Sequence, residues 1–260
     1  IGDANTNNTT ISSAGFSCVS TTPSFTWPVT LSRELNRESV ASLFEDFIDT
    51  ASGTLPPWLT GTDIISAVGA ITPDYVASAA WGEYAITADA QNEEQLGTLD
   101  SNDNLWIDLD GLPVVEMRVK IDIANPLGLQ NATDRIVLGV ASAHNNDEDL
   151  ITYSSWFKLT GIAPLLNWKV ETDDNAVNDD DNDSTIVFVP GTYYVLKIDF
   201  SVLAAVVFSI DGVPVAGGPF DMSGAASQNV QPYIALHKDA GAADSHTLTV
   251  DYIKVVGTRL

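Results

Sequence analysis

The chain has 260 residues, of which 45% are apolar and 8% aromatic, enough for a sizeable core and too many for wholesale disorder. Against 35 Asp and Glu stand 11 Lys and Arg, a formal net charge of −24; such a surface repels phosphate backbones and anionic bilayers, which disfavours nucleic acid and membranes as partners. No apolar run approaches the ~18 residues of a membrane-spanning helix. Cys18 is the single cysteine, so neither an intramolecular disulfide nor a thiolate metal cluster can form.

Residues 1–42 read as an extended N-terminal arm. The run Asp3-Ala-Asn-Thr-Asn-Asn-Thr-Thr-Ile-Ser-Ser13 is small, polar and nearly free of core formers. Pro23 and Pro28 bracket Phe25 and Trp27 as two aromatic anchors, and a short helical turn is expected over 32–43, where Leu35, Val40 and Leu43 lie among charged residues. Residues 43–260 form the domain. Val115, Met117, Val119, Ile121 and Ile123 alternate with Glu116, Arg118, Lys120 and Asp122, the period of a half-buried strand. Further strands are predicted near 135–143, 150–159, 165–172, 185–189, 193–200, 205–210, 213–216, 231–238 and 247–256. Asp211-Gly212 supplies the positive-φ pair of a tight hairpin. Many short strands with almost no helical period predict an all-β fold, a two-sheet antiparallel jelly-roll sandwich.

Five pieces in order resemble the concanavalin A-like superfamily of laminin-G-type modules, legume-type lectins and laminarinase or lichenase glucanases. They are Leu43-Phe-Glu-Asp-Phe47 with Trp58, the strand Val115–Ile123, Tyr194-Val-Leu-Lys-Ile-Asp-Phe200, Phe208-Ser-Ile-Asp-Gly212 and Val250-Asp-Tyr-Ile-Lys-Val255. The resemblance covers about 43–257. It implies a sandwich that elsewhere hosts sugar binding, hydrolysis or plain scaffolding, so fold does not fix function.

A retaining glycosidase needs two carboxyl groups about 5–5.5 Å apart. The resembled glucanases carry theirs on one strand as Glu-x-Asp-x-(x)-Glu, a pattern absent here. Its nearest imitation is Trp106-Ile-Asp-Leu-Asp-Gly111, with Asp108 and Asp110 about 6.6 Å apart on one strand face; both are Asp, the third acid is missing, and a solvated strand end is the preferred reading. The chain is accordingly read as no enzyme.

Between 173 and 183 lie six aspartates, and Asp179, Asp181 and Asp183 imitate the first half of a calcium loop. Ser184 stands where that loop wants Gly, which favours a flexible acidic loop. Asp251 is a second calcium candidate, because its counterpart in the resembled glucanases ligates a structural calcium. The three histidines, His144, His237 and His246, show no ligand spacing, and no Gly-x-Ser-x-Gly occurs. Trp81, Trp106, Trp156 and Trp168 are core residues or a sugar platform. Tyr153 and Trp156, near the acidic turn 144–149, are the leading carbohydrate-binding candidates.

Three functions follow. The first is a non-enzymatic assembly protein, a jelly roll displayed on a particle as a viral capsid decoration or fibre protein. It would grip neighbouring subunits, as in a homo-oligomer, through residues 1–42, at the virion or an extracellular surface. The second is a carbohydrate-binding, lectin-like module whose partners are glycans. A glycan hydrolase comes third.

Overall fold

The computed structural model describes residues 9–12, 15–18, 41–47, 55–66, 69, 71–76, 79, 82–123, 133–161, 166–241 and 245–257. The chain divides into two compact units, Ile1–Ser39 and Val40–Leu260.

In the first unit β1 (Thr9–Ser12) and β2 (Gly15–Cys18) pair antiparallel, with Thr9 opposite Cys18 and Ser12 opposite Gly15. This part of the expected extended arm is therefore a hairpin, in keeping with the β-branched run Thr9-Thr10-Ile11. The anchors Phe25 and Trp27 lie outside the described residues, as does most of the helical turn expected over 32–43. Its last three residues open a strand instead.

That strand is β3 (Ala41–Glu45), followed by β4 (Thr60–Ile65), β5 (Thr72–Tyr75), β6 (Tyr84–Ala88), β7 (Gln95–Asp100) and β8 (Ile107–Asp108). Then come β9 (Val114–Ile123), β10 (Arg135–Ala141), β11 (Tyr153–Thr160), β12 (Asn167–Asp174), β13 (Asn178–Val187) and β14 (Tyr193–Asp199). β15 (Val207–Ile210), β16 (Val213–Pro214), β17 (Asn229–Lys238) and β18 (His246–Gly257) close the unit. They build two antiparallel sheets. Sheet I runs β13-β12-β11-β10-β17-β7-β4, with β8 on β17; sheet II runs β16-β15-β14-β9-β18-β6-β5, with β3 on β18. The result is the two-sheet jelly-roll sandwich. Ala41 sits opposite Gly257, so pairing begins two residues before the expected boundary at 43.

Binary patterning places the core. On β9 Val115, Met117, Val119 and Ile121 are buried while Glu116, Arg118 and Lys120 face outward. β18 keeps Leu248, Val250, Ile253 and Val255 inward although the spacing jumps from two to three, because a bulge at Asp251 absorbs the extra residue. Sheet I answers with Ile136, Leu138, Phe157, Leu159, Trp168, Val170, Ile234 and Leu236. Trp168 meets Phe157 at 6.4 Å and Tyr194 at 5.4 Å, both edge-on, and is a core residue. Asp211 (φ 51°) and Gly212 (φ 79°) form the hairpin turn their sequence predicts.

The acidic run departs from expectation. Residues 178–187 are a strand, β13, at the edge of sheet I; its end overlaps the strand expected near 185–189, and its acidic first part stands where a loop is expected. The cause lies on its neighbours, where Lys158 and Lys169 stand directly opposite each other across β11 and β12. Two like charges in that register repel. Asp181 bridges them, 3.4 Å from Lys158 and 3.0 Å from Lys169, from a backbone position with φ 50°. The remaining acids leave the edge charged, which discourages pairing with another chain.

Candidate functional site

The outward positions of sheet I should be wet, yet several are sealed. Trp156 and Tyr233 are both 0% exposed. Each is the cross-strand partner of Gly139, one on β11 and the other on β17. A Cβ at Gly139 would run into the Ser155 carbonyl and the Trp156 backbone, so glycine lets the two rings close over β10. Their centroids are 6.1 Å apart. Leu96, Val137, Ala141, Ala235 and Ile151 complete a second apolar cluster, separate from the main core.

What seals this face is the connection between β10 and β11, residues 142–152. It leaves β10 at Ala141 and by Glu148 has returned to Arg135, at the far end of the same strand, where Arg135 Nε donates to Glu148 Oε2 at 2.5 Å. Six residues of strand span about 20 Å, so the connection runs back along the length of β10. Tyr233 Oη donates to the Asn145 carbonyl at 3.3 Å, and the His144 amide donates to Asp103 Oδ1 at 2.7 Å. Glu148, itself buried, faces His237, whose Nδ1 lies 3.7 Å from Glu148 Oε1 and whose Nε2 lies 2.9 Å from Glu94 Oε1. Burial works against the charge on both groups. The contacts with His237 and Arg135 nevertheless bring Glu148 below the usual carboxylate range. The bonds to Glu148 and Glu94 raise His237, against burial and the Arg135 charge.

Between this flap and strands β11 to β13 a cleft of about 220 Å³ is lined by Glu148, Asp149 and Ile151 of the flap and by Ser154, Lys158, Glu171, Asp173, Asn178, Asp180 and Asp181. Lys158 Nζ donates to Glu171 Oε2 at 2.6 Å and lies 3.9 Å from Asp149. Burial opposes the ammonium, but the surrounding carboxylates raise its pKa. Burial first, then Asp149 and Asp180, push Glu171 up, since one ammonium serves several acids. Glu171 and Asp173 are the acids that β12 turns to this face, a Glu-x-Asp spacing masked in the sequence by the acidic run 173–183, which has the composition of a loop.

The carbohydrate candidates do not act together. Trp156 faces the flap, whereas Tyr153, three residues earlier on the same strand, turns toward the main core and is half-buried there. An odd spacing on a strand puts two side chains on opposite faces. Trp106 packs edge-on against Trp58 at 5.5 Å, and Trp81 lies outside the described residues.

Nor do the calcium candidates converge. Asp181 is held by the two lysines. Asp183 accepts from Asn167 Nδ2 at 3.0 Å and from the Thr185 amide at 2.7 Å. Asp179 sits opposite Thr172, and Asp251, on sheet II, is 2.5 Å from Arg118. Among the described residues no three His, Cys, Asp or Glu side chains gather around one point as a cation would require. Asp108 and Asp110 do not share a strand face. β8 ends at Asp108, which caps the Asp110 amide, and Asp110 turns to Ser227.

No protein-family model matches this sequence, and no curated protein matches it either. Solved structures do match in fold. A protein of unknown function from Shewanella oneidensis MR-1, SO2946, is similar at TM-score 0.53 and 14% identity, over 92% of this chain and 97% of that one. A Bacteroides ovatus glycoside hydrolase family 16 protein of a mixed-linkage glucan locus, solved with a product, matches at TM-score 0.54 and 11% identity, over 82% and 99%. The carbohydrate recognition domain of Emp47p matches at TM-score 0.50 and 12% identity, over 84% and 97%. The hydrolase and the carbohydrate recognition domain are concanavalin A-like jelly rolls, as the resemblance in sequence implies; the matches give no support to a virion role and establish neither activity nor its absence.

Proposed function

We propose that the domain binds a neutral glycan in the cleft beside Lys158 and does not cleave it. The observation that carries this reading is the chemistry of the outer face of sheet I. The central strands β10, β17 and β11 turn Arg135, Gln231, His237, Ser154 and Lys158 to this face among apolar residues, and no carboxylate. Of the acids on β12, Glu171 is engaged by Lys158 and Asp173 by the Asn175 amide. Sugar hydroxyls donate to carboxylates and accept from ammonium and amide groups, and Asp181, Lys158 and Asn178 on sheet I, with Asp149 on the β10–β11 connection, offer both. Two of the fold neighbours are a glucan hydrolase and a carbohydrate recognition domain. A second reading, in which residues 1–42 tether the domain to a neighbouring subunit, draws on the division of the chain after Ser39.

Calorimetric titration of neutral β-glucan and mannose oligosaccharides, with reducing ends assayed in parallel, tests the first reading. Saturable binding without release is expected. Asp181→Asn, at a half-exposed carboxylate, should weaken it about tenfold, the worth of one charge-assisted hydrogen bond. Absence of binding throughout the panel overturns the glycan reading, and release abolished by Glu171→Gln overturns the non-cleaving one.

A further inference from the structure

We infer that residues 142–152 are a lid, closed in this structure over an aromatic subsite formed by Trp156 and Tyr233, and that Glu148 is its latch. The ligand class, the apolar face of a sugar ring, rests on the glycan reading above; the lid does not.

Four observations carry the inference. The segment begins and ends at neighbouring strand positions, with Ala141 opposite Ser154, so sheet I is continuous without it. Its attachment is by discrete polar pins: His144 to Asp103, Asn145 to Tyr233, and Glu148 to Arg135 and His237. Ile151 is the one lid side chain in the apolar cluster below, while Leu150 is 67% exposed, so the lid buries little apolar surface of its own. Finally, Trp156 Nε1 is fully buried and has no hydrogen-bond partner among the described residues. Buried indole N–H groups ordinarily find an acceptor. An indole with an unanswered donor, beside a tyrosine ring tilted 36° to it, suits a ring that offers an apolar face and a hydroxyl acceptor at its edge.

A closed lid weakens apparent affinity by the fraction of molecules that are open. Breaking the latch should therefore tighten binding even though it removes a cleft residue. Hydrogen exchange and calorimetry on the full chain test this with cellotetraose and laminaritetraose as probes. In Glu148→Gln the amides of 142–152 should exchange at least tenfold faster while β10, β11 and β17 stay protected, and the tetrasaccharide should bind several-fold more tightly. Trp156→Ala should abolish that gain. Asp103→Ala frees the other end of the lid from an exposed position and should give the same local acceleration, which guards against a Glu148 variant that fails to fold. Unchanged exchange in both variants, or acceleration spread evenly over the sheet, overturns the lid. Local acceleration with no tetrasaccharide bound by any variant upholds the lid and overturns the glycan reading.

Discussion

His237 and Glu148 form a pair whose two members titrate on opposite sides of mild acidity. Glu148 is below its ordinary value near 4.5, so what it adds to stability is present above that pH and lost as pH falls through its folded pKa. His237 is above its ordinary value near 6.5, so its part is complete below that pH and lost as pH rises through the folded pKa. The pair is whole only between those limits. Glu94 supports the imidazolium and Arg135 opposes it, and Asp239, itself lowered, feels its charge. Thermal melts across pH 5 to 8.5 should accordingly fall on the alkaline side of about 6.5. In His237→Gln that alkaline limb should flatten, because no proton is then lost there. A limb of equal size in the variant would remove His237 from the account.

Elements differ in how openly the sequence shows them. β9 is legible because its buried and exposed residues alternate without a break. The hairpin between β15 and β16 is legible because Asp211-Gly212 admits few other conformations. A Cβ at Gly212 would meet nothing within 4 Å, so replacing it costs backbone strain alone. Gly212→Val should lower the urea midpoint by the equivalent of about 1–2 kcal/mol, and Gly212→Asn, which tolerates positive φ, by clearly less. Equal losses would mean that φ is not the cause. The end of β13 shows as the strand expected near 185–189, but its acidic part is hidden because six aspartates between 173 and 183 look like solvated loop. Lys169 stands 12 residues before Asp181 and Lys158 a further strand back, and only the β11–β12 register makes them a cationic pair that needs Asp181. The opposition of Tyr153 and Trp156 was legible from their odd spacing and passed unread. The lid was not legible. Residues 142–152 have the composition of a polar turn, and nothing local says that Glu148 returns to Arg135; the faint signal is an arginine opening the otherwise apolar run 135–141.

At the scale of the molecule, the division after Ser39 makes a claim about cooperativity. Both sheets of the sandwich belong to residues from Ala41 onward, which sits opposite Gly257, and among the described residues its buried apolar core begins at Phe47. A chain cut at 43 would strip Ala41 and Ser42 from Gly257 and Val256, whereas a chain of residues 40–260 keeps every strand pair of the sandwich. That shorter chain should fold alone and melt in one transition whose calorimetric and van 't Hoff enthalpies agree. For some 220 residues a change of 1 kcal/mol moves the midpoint only about 2–4 °C, so its melting temperature should stay within that margin of the full chain's main transition. Sedimentation of both forms then separates the two roles considered for the first unit. A tether predicts that the full chain self-associates and that residues 40–260 are monomeric. Equal sedimentation of the two would overturn the tether as a device for joining copies of this chain. A shorter chain that fails to fold would show that the boundary seen in contacts is not one in free energy, because the first unit would then be part of what keeps the sandwich closed.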